Sequence, residues 1–476
     1  MATRTKLGGA KAVAKGPGPL HVVILAAGQG TRMKSTRPKV LHRIAGRPML
    51  DHVIEAARAL EAEGFHVVIG RGGDAVRSWY AQAHPQATDV KFAEQAEQLG
   101  TGHAVLQAMP GIPDSARVLV LYGDVPLIEP DSLSALLEAA GERGMGILVA
   151  EVEDPHGYGR ILRRGGRVVG VVEEKDASQA QRRIKEINTG VIAAPAAPLR
   201  GWLSRIGNDN AKKEYYLTDV VRLAARDGTR IQTSRVSSTE EVQGVNDRLQ
   251  LARQERSFQR MQAEALMHKG VSLVDPERFD LRGTLLCGQD VEIDVGVVIE
   301  GEVELGDHVY VGPYTVLRNT KIGADTRIES HCVVESAVIG RQCNIGPFAR
   351  FRPSSRLADK VHIGNFVEIK NSVLGEGTKA NHLAYVGDAD IGTRTNVGAG
   401  VITCNYDGAN KFRTTIGDEV FIGSDSQLIA PVTIGSRAYI AAGSTIAKDA
   451  PADQLTINRA REQRSVPWKR PVKKGK

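Results

Sequence analysis

Cysteine is scarce and confined to one half of the chain. Four occur among 476 residues: Cys287, Cys332, Cys343 and Cys404, with no CxxC pair and no spacing of metal-ligand type. This excludes a disulfide-stapled or zinc-ribbon architecture and leaves them as reduced, buried residues of the second half. Long apolar runs are missing as well. No segment approaches the roughly 18 apolar residues that cross a bilayer, and the first 20 residues lack the apolar core of a secretory signal. A cytoplasmic protein with no membrane partner is expected. Charge of one sign is nearly balanced in the interior, since much of the +7 excess lies at the two ends. Arg4, Lys6, Lys11 and Lys15 open the chain, and Lys469, Arg470, Lys473, Lys474 and Lys476 close it. Basic tails are ordinarily solvated and disordered, so the charge does not point to nucleic acid. Segments 1–19 and 459–476 read as such tails. Proline is absent between about 238 and 269, a charge-rich run that reads as a long helix joining two domains, with the linker proper at 246–269.

What is present is a six-residue period. Ile416, Ile422, Leu428, Ile434, Ile440 and Ile446 follow one another at steps of six, and Leu305, Val311 and Leu317 share the step. A repeat of this length is neither helical nor simply alternating. It implies a solenoid in which each unit buries its aliphatic residue against the next, and hexads imply a parallel β-helix, placed at 270–458. The turn residues are often Gly, Asn or Asp, as in IGAD at 322–325 and IGD at 416–418, where positive φ or tight corners are needed. The phase slips near Lys321, Ser336 and Asp388. It breaks at 352–360 and at 403–415, and both breaks read as loops projecting from the coil.

Residues 20–245 have a different texture. Aliphatic strands at 21–25 and 67–69 bracket a helical stretch at 48–60, the pattern of a largely parallel, Rossmann-like α/β sheet. LAAGQGTRM at 25–33 follows the first strand. Its small residues let backbone N–H groups approach a phosphate, and Arg32 adds charge. A glycine loop of this kind is by itself more often a tight turn than a nucleotide site. Two features support the stronger reading. Lys39, in RPK at 37–39, is a second cation within reach. Asp124, in YGDVP at 122–126, stands at the carboxyl end of a strand, where α/β sheets place ligands, although an Asp before a turn often only caps it.

LAAGxGTRM, PK and a GD dipeptide closing a strand resemble the signature of the sugar-1-phosphate nucleotidyltransferases. QAEQLGTGH at 95–103, GYGR at 157–160, Glu173, EINTG at 186–190 and GVNDR at 244–248 are similar to the N-acetylglucosamine-1-phosphate uridylyltransferase branch. With the hexads, residues 20–474 resemble the bacterial bifunctional uridylyltransferase and glucosamine-1-phosphate N-acetyltransferase family. The resemblance implies Mg²⁺, a hard ion content with few protein oxygens, held by Asp124 and Asn246, and a triphosphate stabilised by Arg32 and Lys39. It also implies UTP and sugar contacts at Leu25, Ala26, Ala27, Gly28, Gln95, Gly100, Thr101, Tyr122, Gly123, Gly159, Glu173 and Asn188. Glu174 stands where the family often has a histidine, and the carried-over Glu173 is intact.

The same resemblance gives the hexad half an acetyl transfer from acetyl-CoA to glucosamine-1-phosphate. An amine must be neutral to attack a thioester, and a histidine is suited to take its proton; His382, two places after the core position Ala380, takes that role by resemblance. Arg352 and Lys370 would bind the sugar phosphate, and Tyr385 and Asn396 the sugar. Ala399, Asn405, Tyr406, Ser424, Ala442 and Arg459 would meet acetyl-CoA. Family resemblance further implies a left-handed coil and a homotrimer with sites between subunits. Two other readings stay open at this point: a single-activity sugar-1-phosphate nucleotidyltransferase whose β-helix is a scaffold, and a binding solenoid without chemistry. The size of the coil region and the His382, Tyr385, Asn405, Tyr406 set oppose the first, and the two expected loops oppose the second.

Overall fold

A computed structural model describes residues 18–70 and 73–459. Apart from residues 18, 19 and 459, both basic tails lie outside the described residues. The chain divides into two compact units between Phe258 and Gln259.

In the first unit, strands β1 (Leu20–Ala26), β2 (Gly64–Gly70), β3 (Val90–Gln95), β4 (Arg117–Tyr122), β5 (Met145–Glu151), β6 (Gly159–Arg164), β7 (Arg167–Val172), β8 (Glu186–Pro195) and β9 (Ile231–Arg235) form one sheet in the order β9-β5-β8-β4-β1-β2-β3, with the β6-β7 hairpin attached through β8. All neighbours on that path are parallel except β8, which runs against β4 and β5. Alternation in β1 serves two cores. Val22 and Ile24 face one apolar layer and Val23 and Leu25 the other, so both faces of the strand are buried and its sequence is a continuous aliphatic run. The layers are covered by helices that include α1 (Met49–Arg58), α2 (Asp74–Ala83), α3 (Thr101–Ala108), α4 (Pro130–Ala140), α5 (Ala196–Leu203) and α6 (Asp219–Arg226). Because β1, β2, β3 and β4 are parallel, their carboxyl ends share one edge.

The expected helix begins later than the composition implies. A 3-10 turn, Glu240–Val242, is followed by extended backbone, and α7 spans Arg248–Met267. Asp247 is the reason: its Oδ1 accepts the N–H of Gln250 at 2.8 Å, while the Gln250 side chain accepts the N–H of Asn246 at 2.7 Å. A reciprocal cap of this kind starts a helix where it stands.

The second unit is a parallel β-helix with three faces, one carried by an 11-strand ladder and two by a 17-strand ladder among the described residues. Every period-six aliphatic named above is buried in one continuous core. Coils stack in register, Val298 on Val316 on Val333 on Arg350. The Arg282–Glu300 and Glu304–Lys321 pairs mark steps of 18 and 17 residues. Many corners are held by non-glycine residues with positive φ, among them Asn319, Ser336, Asn371 and Asp388. Asn371 marks a fourth shortened corner beyond the three expected, since Ile369 and Leu374 are both core residues five apart. Coiling also continues past the regular hexads, from Ser272–Leu273 to Leu455–Thr456.

The break expected at 352–360 is not a loop. Phe351, Leu357 and Ile363 keep the six-residue step and are buried, and Arg356–Leu357 pairs with Val338–Ile339 below and Val373–Leu374 above. Pro353 and Ser355 disguised an ordinary corner. Ser355, 1% exposed, gives its hydroxyl hydrogen to the Arg352 carbonyl at 2.7 Å, so a polar residue fills an interior position at no hydrogen-bonding cost. Among the described residues only 405–413 departs from the coil, where Thr393 meets Asp418 across 25 residues instead of 17 or 18. None of the four cysteines is paired; Cys332 and Cys343 are buried, while Cys287 and Cys404 are only partly so. No helix among the described residues is long and apolar enough to cross a membrane.

Near the opposite end of β1 from the glycine loop, His21 Nδ1 lies 3.1 Å from His66 Nε2. Burial, the neighbouring His21 and Lys91 push the His66 pKa down to about 4. An unfolded histidine titrates near 6.5, so between these values the unfolded chain binds more protons than the folded one and stability falls on acidification. Allowing for partial solvation, the loss should reach about 2 kcal/mol between pH 7 and pH 4. Urea midpoints of the first unit's transition should show it, and His66→Gln should flatten that part of the profile.

Candidate functional site

The first cluster is built on the shared carboxyl edge. Gly123 N–H donates to the Leu25 carbonyl at 2.9 Å, which aligns the end of β4 with the glycine loop 27–30. The loop itself is held by Gln98, whose amide donates to the Ala27 carbonyl at 2.5 Å. Gly30 has φ of 62°, and a Cβ there would come within 2.7 Å of Lys39 Cβ, so the loop closes over Lys39 only because the residue is glycine. The Lys39 ammonium pairs with the Asp124 carboxylate and also donates to Asn246 Oδ1 at 3.3 Å. Arg32 donates to the same Asn246 oxygen at 2.9 Å. Val245 N–H, bonded to the Asp124 carbonyl at 2.8 Å, carries Asn246 into this group. Arg32, Lys39, Asp124 and Asn246, drawn from three distant segments, therefore meet.

Beyond them, Tyr122 lies in the field of both Asp124 and Glu173, and burial raises its hydroxyl pKa. Its ring fills the space over Gly190, where a Cβ would come within 2.6 Å. Gly159 and Asn188 face each other in the β6-β8 register. Glu173 accepts a hydrogen bond from Thr218 at 3.0 Å, and burial raises its pKa. Asn188 is buried with its Oδ1 unpartnered. On the far side of the loop, the Gln95 amide donates to the Gly100 carbonyl at 3.0 Å, and Thr101 Oγ1 accepts from Leu217 N–H at 3.1 Å. Leu25, Ala26, Ala27 and Gly28 complete the edge.

The β-helix holds two groupings. At one corner, His382, Ala399, Ser424 and Ala442 stand in a column: Gly400 N–H donates to the His382 carbonyl, Asp425 N–H to that of Ala399 and Gly443 N–H to that of Ser424. Arg459 caps the column through two hydrogen bonds to the Ala442 carbonyl, at 2.7 and 3.0 Å. The His382 imidazole is exposed, its Nδ1 3.0 Å from Asn365 Oδ1 on the coil below.

The second grouping centres on Asp388. Lys370 donates to it at 3.3 Å and Asn371 at 2.5 Å, and Asn405, from the 405–413 insertion, bonds the same carboxylate. Burial works against the Asp388 charge, but the bonds from Asn371, Asn405 and Lys370 outweigh it and hold the pKa below the usual range. Asn405 also reaches the Tyr385 hydroxyl at 3.4 Å, and Arg352 pairs with Glu368 at 3.1 Å. Tyr406, in the same insertion, is exposed and donates to the Gly408 carbonyl. Among the described residues no hydrogen bond joins His382 or Asn396 to this grouping. Asn396 sits on the 11-strand face, between Lys379 and Phe421.

Residues 22–189 match the MobA-like NTP transferase domain family, 281–364 the GMPPB C-terminal domain and 413–448 the bacterial transferase hexapeptide repeats. A bifunctional protein GlmU of Aromatoleum aromaticum is 59% identical over 457 residues, covering 96% of this chain and 99% of that protein. Proteins of the same name from Alkalilimnicola ehrlichii and Cupriavidus pinatubonensis are each 55% identical, over 95% and 96% of this chain and 96% and 100% of theirs. The chain belongs to the GlmU family.

Three participants in these GlmU clusters escaped the sequence reading. Asp388 was visible only as a phase slip, yet a shortened corner with an acidic residue at positive φ turns its side chain back among its neighbours. Lys411 faces Lys370, whose like charge lowers the Lys411 pKa, while the Asp388 carboxylate holds the Lys370 pKa up against the effect of burial. Gln98 showed no signal beyond its place in a motif. Asp388→Ala should leave the Lys370 ammonium and two amides without their acceptor, costing about 2–4 kcal/mol, read as an earlier urea transition of the β-helix with the first unit's transition unmoved.

Proposed function

We propose that this chain is a two-site enzyme that makes UDP-N-acetylglucosamine. The β-helix transfers acetyl from acetyl-CoA to glucosamine-1-phosphate. The α/β unit then transfers UMP from UTP to N-acetylglucosamine-1-phosphate and releases pyrophosphate. The observation that carries the reading is that the chain aligns nearly end to end with bifunctional relatives while each half holds its own cluster of convergent polar groups. In this reading residues 20–245 are the uridylyltransferase, 246–269 the linker and 270–458 the acetyltransferase.

Nucleotidyl transfer requires in-line approach of a sugar phosphate oxygen to the α-phosphorus and relief of accumulated negative charge. The loop 25–28 offers backbone donors, and Arg32 and Lys39 lie beside it as paired cations. Gln95, Gly100 and Thr101 form the base side, and Tyr122, Gly123, Gly159, Glu173 and Asn188 the sugar side. The free acceptor on Asn188 suits a donor of the sugar. Asp124 and Asn246 already direct oxygens at one cation, the Lys39 ammonium, and this donor pair fits Mg²⁺, which takes few protein ligands. When bound, the ion would neutralise phosphate charge; Lys39 would then be released toward the triphosphate.

For acetyl transfer, His382 takes the proton of the attacking amine, and its Asn365 contact orients the ring. Arg352 and Lys370 bind the phosphate as a cation pair, with Tyr385 and Asn396 on the sugar. The column of small residues Ala399, Ser424 and Ala442, with Asn405, Tyr406 and Arg459, receives acetyl-CoA. The separation of Asn396 from the Arg352–Lys370–Tyr385 grouping within one chain supports a homotrimer in which each site draws on more than one subunit. A ladder of exposed side chains supports it too: His331 stacks on Phe348 and Phe348 on Phe366, with ring centroids 4.8 and 5.2 Å apart, and Leu383 follows, 64% exposed. A cytoplasmic location fits the substrates.

Two variants separate the sites. His382→Ala should lower thiol release from acetyl-CoA and glucosamine-1-phosphate at least 100-fold and leave pyrophosphate release from N-acetylglucosamine-1-phosphate, UTP and Mg²⁺ intact. Asp124→Ala should do the reverse. Loss of both activities in either folded variant would sink the two-site assignment.

A further inference from the structure

Arg160 is the largest fully buried side chain among the described residues, 1% exposed, and the nucleotidyl-transfer chemistry does not use it. Its guanidinium donates to the Tyr158 carbonyl, to Glu174 Oε2 at 2.6 Å and to the Arg182 carbonyl at 3.3 Å, while Nε has no partner. Glu174 is its carboxylate partner among the described residues. A guanidinium this deep in the protein is tolerated only with a counter-charge and with its donors engaged.

Two of the three segments tied by this guanidinium carry sugar-side residues of the site, and the third such residue is reached through the backbone register of Arg160. Gly159 precedes Arg160 in the chain and Glu173 precedes Glu174. Asn188 pairs with Gly159 in the register that sets Ile187 against Arg160. The hairpin β6-β7 pairs its backbone with the main sheet over those two residues, and farther along β6 the Arg163 side chain adds bonds to Glu186 and Thr233. Thr218, bonded to Glu173, and Arg160, bonded to Glu174, both brace the open end of the hairpin, where Arg160 lies opposite Val172. The guanidinium gathers the start of β6, the turn after β7 and the end of the short helix Gln179–Arg182 onto one side chain.

We propose that Arg160 and Glu174 are positioning residues for the sugar-phosphate substrate of the uridylyl site: their buried ion pair fixes the spacing of Gly159, Glu173 and Asn188 without touching substrate. The inference rests on the uridylyltransferase reading for its substrate and on the geometry alone for the positioning. It distinguishes sugar binding from nucleotide binding, because the loop 25–28, Lys39 and Gln95 make no bond to this pair.

Glu174→Gln keeps the shape and removes the counter-charge. Initial rates of pyrophosphate release should show the KM for N-acetylglucosamine-1-phosphate raised about tenfold, the KM for UTP within twofold and kcat at saturation within threefold, with Glu174→Asp closer to wild type. Amide hydrogen exchange should quicken at Gly159, Glu173 and Asn188 and stay unchanged at 25–28. An equal rise in both KM values, or wild-type kinetics and exchange in the variant, would overturn the proposal. Should wild-type protein release no pyrophosphate from these substrates, the uridylyltransferase reading fails, and the exchange comparison still decides whether the pair positions the hairpin.

Discussion

Parallel strand pairing is the constraint on which both units depend. Each parallel strand is hydrogen-bonded in fixed register to its neighbours, and its side chains are committed to one face or the other. Chemistry is then left to the places where pairing ends. In the sheet that place is a single edge, because β1, β2, β3 and β4 point the same way. In the β-helix there is no free edge along the coil, and chemistry is confined to corners and to insertions. The two clusters differ accordingly: the first is a convergence of loops from three distant segments, the second a vertical arrangement on successive coils.

Charge organises each cluster within those limits. Lys39 and Asp124 neutralise one another, with Asn246 accepting from the same ammonium, which lets a cation and a carboxylate sit side by side under a glycine loop. Asp388 does the equivalent in the coil, where three donors outweigh the cost of burying its carboxylate. Such centres hold flexible side chains in one place before substrate arrives, and preorganisation of this kind lowers the cost of binding. The exposed ion-pair ladders along the coil, such as Arg282–Glu300–Arg318, contribute much less, since solvent screens them.

Much of this was legible in the sequence, for physical reasons. An aliphatic residue at every sixth position has no other economical burial, so Ile416 to Ile446 declared the coil. The motif residues of the α/β unit lie at strand ends, and strand ends are visible as apolar runs followed by glycine. Asp388 and Lys411 were not legible, because their partners are fixed by which coil lies above which, and a 17-residue coil next to an 18-residue one shifts that by a whole position. The false loop at 352–360 has the same origin. Pro353 and Ser355 look like breakers in one dimension, whereas in three the serine hydroxyl finds the Arg352 carbonyl. The helix start was missed because a run of helix-forming charge extends past Asp247, and a cap overrides propensity.

The hairpin β6-β7 shows the price of departing from the constraint. It lies off the main path of the sheet, paired with β8 over two residues, and so gains freedom to shape a pocket but keeps fewer of the backbone bonds that elsewhere fix side chains. Burying an arginine is an expensive remedy, since an apolar residue of similar volume would stabilise the same space at lower cost. What an apolar residue cannot do is bond two backbone carbonyls and a carboxylate directionally. A guanidinium, planar with five donors, can hold Tyr158, Glu174 and Arg182 at once, and its requirement for a counter-charge ties the position of Glu174, and with it that of Glu173, to its own.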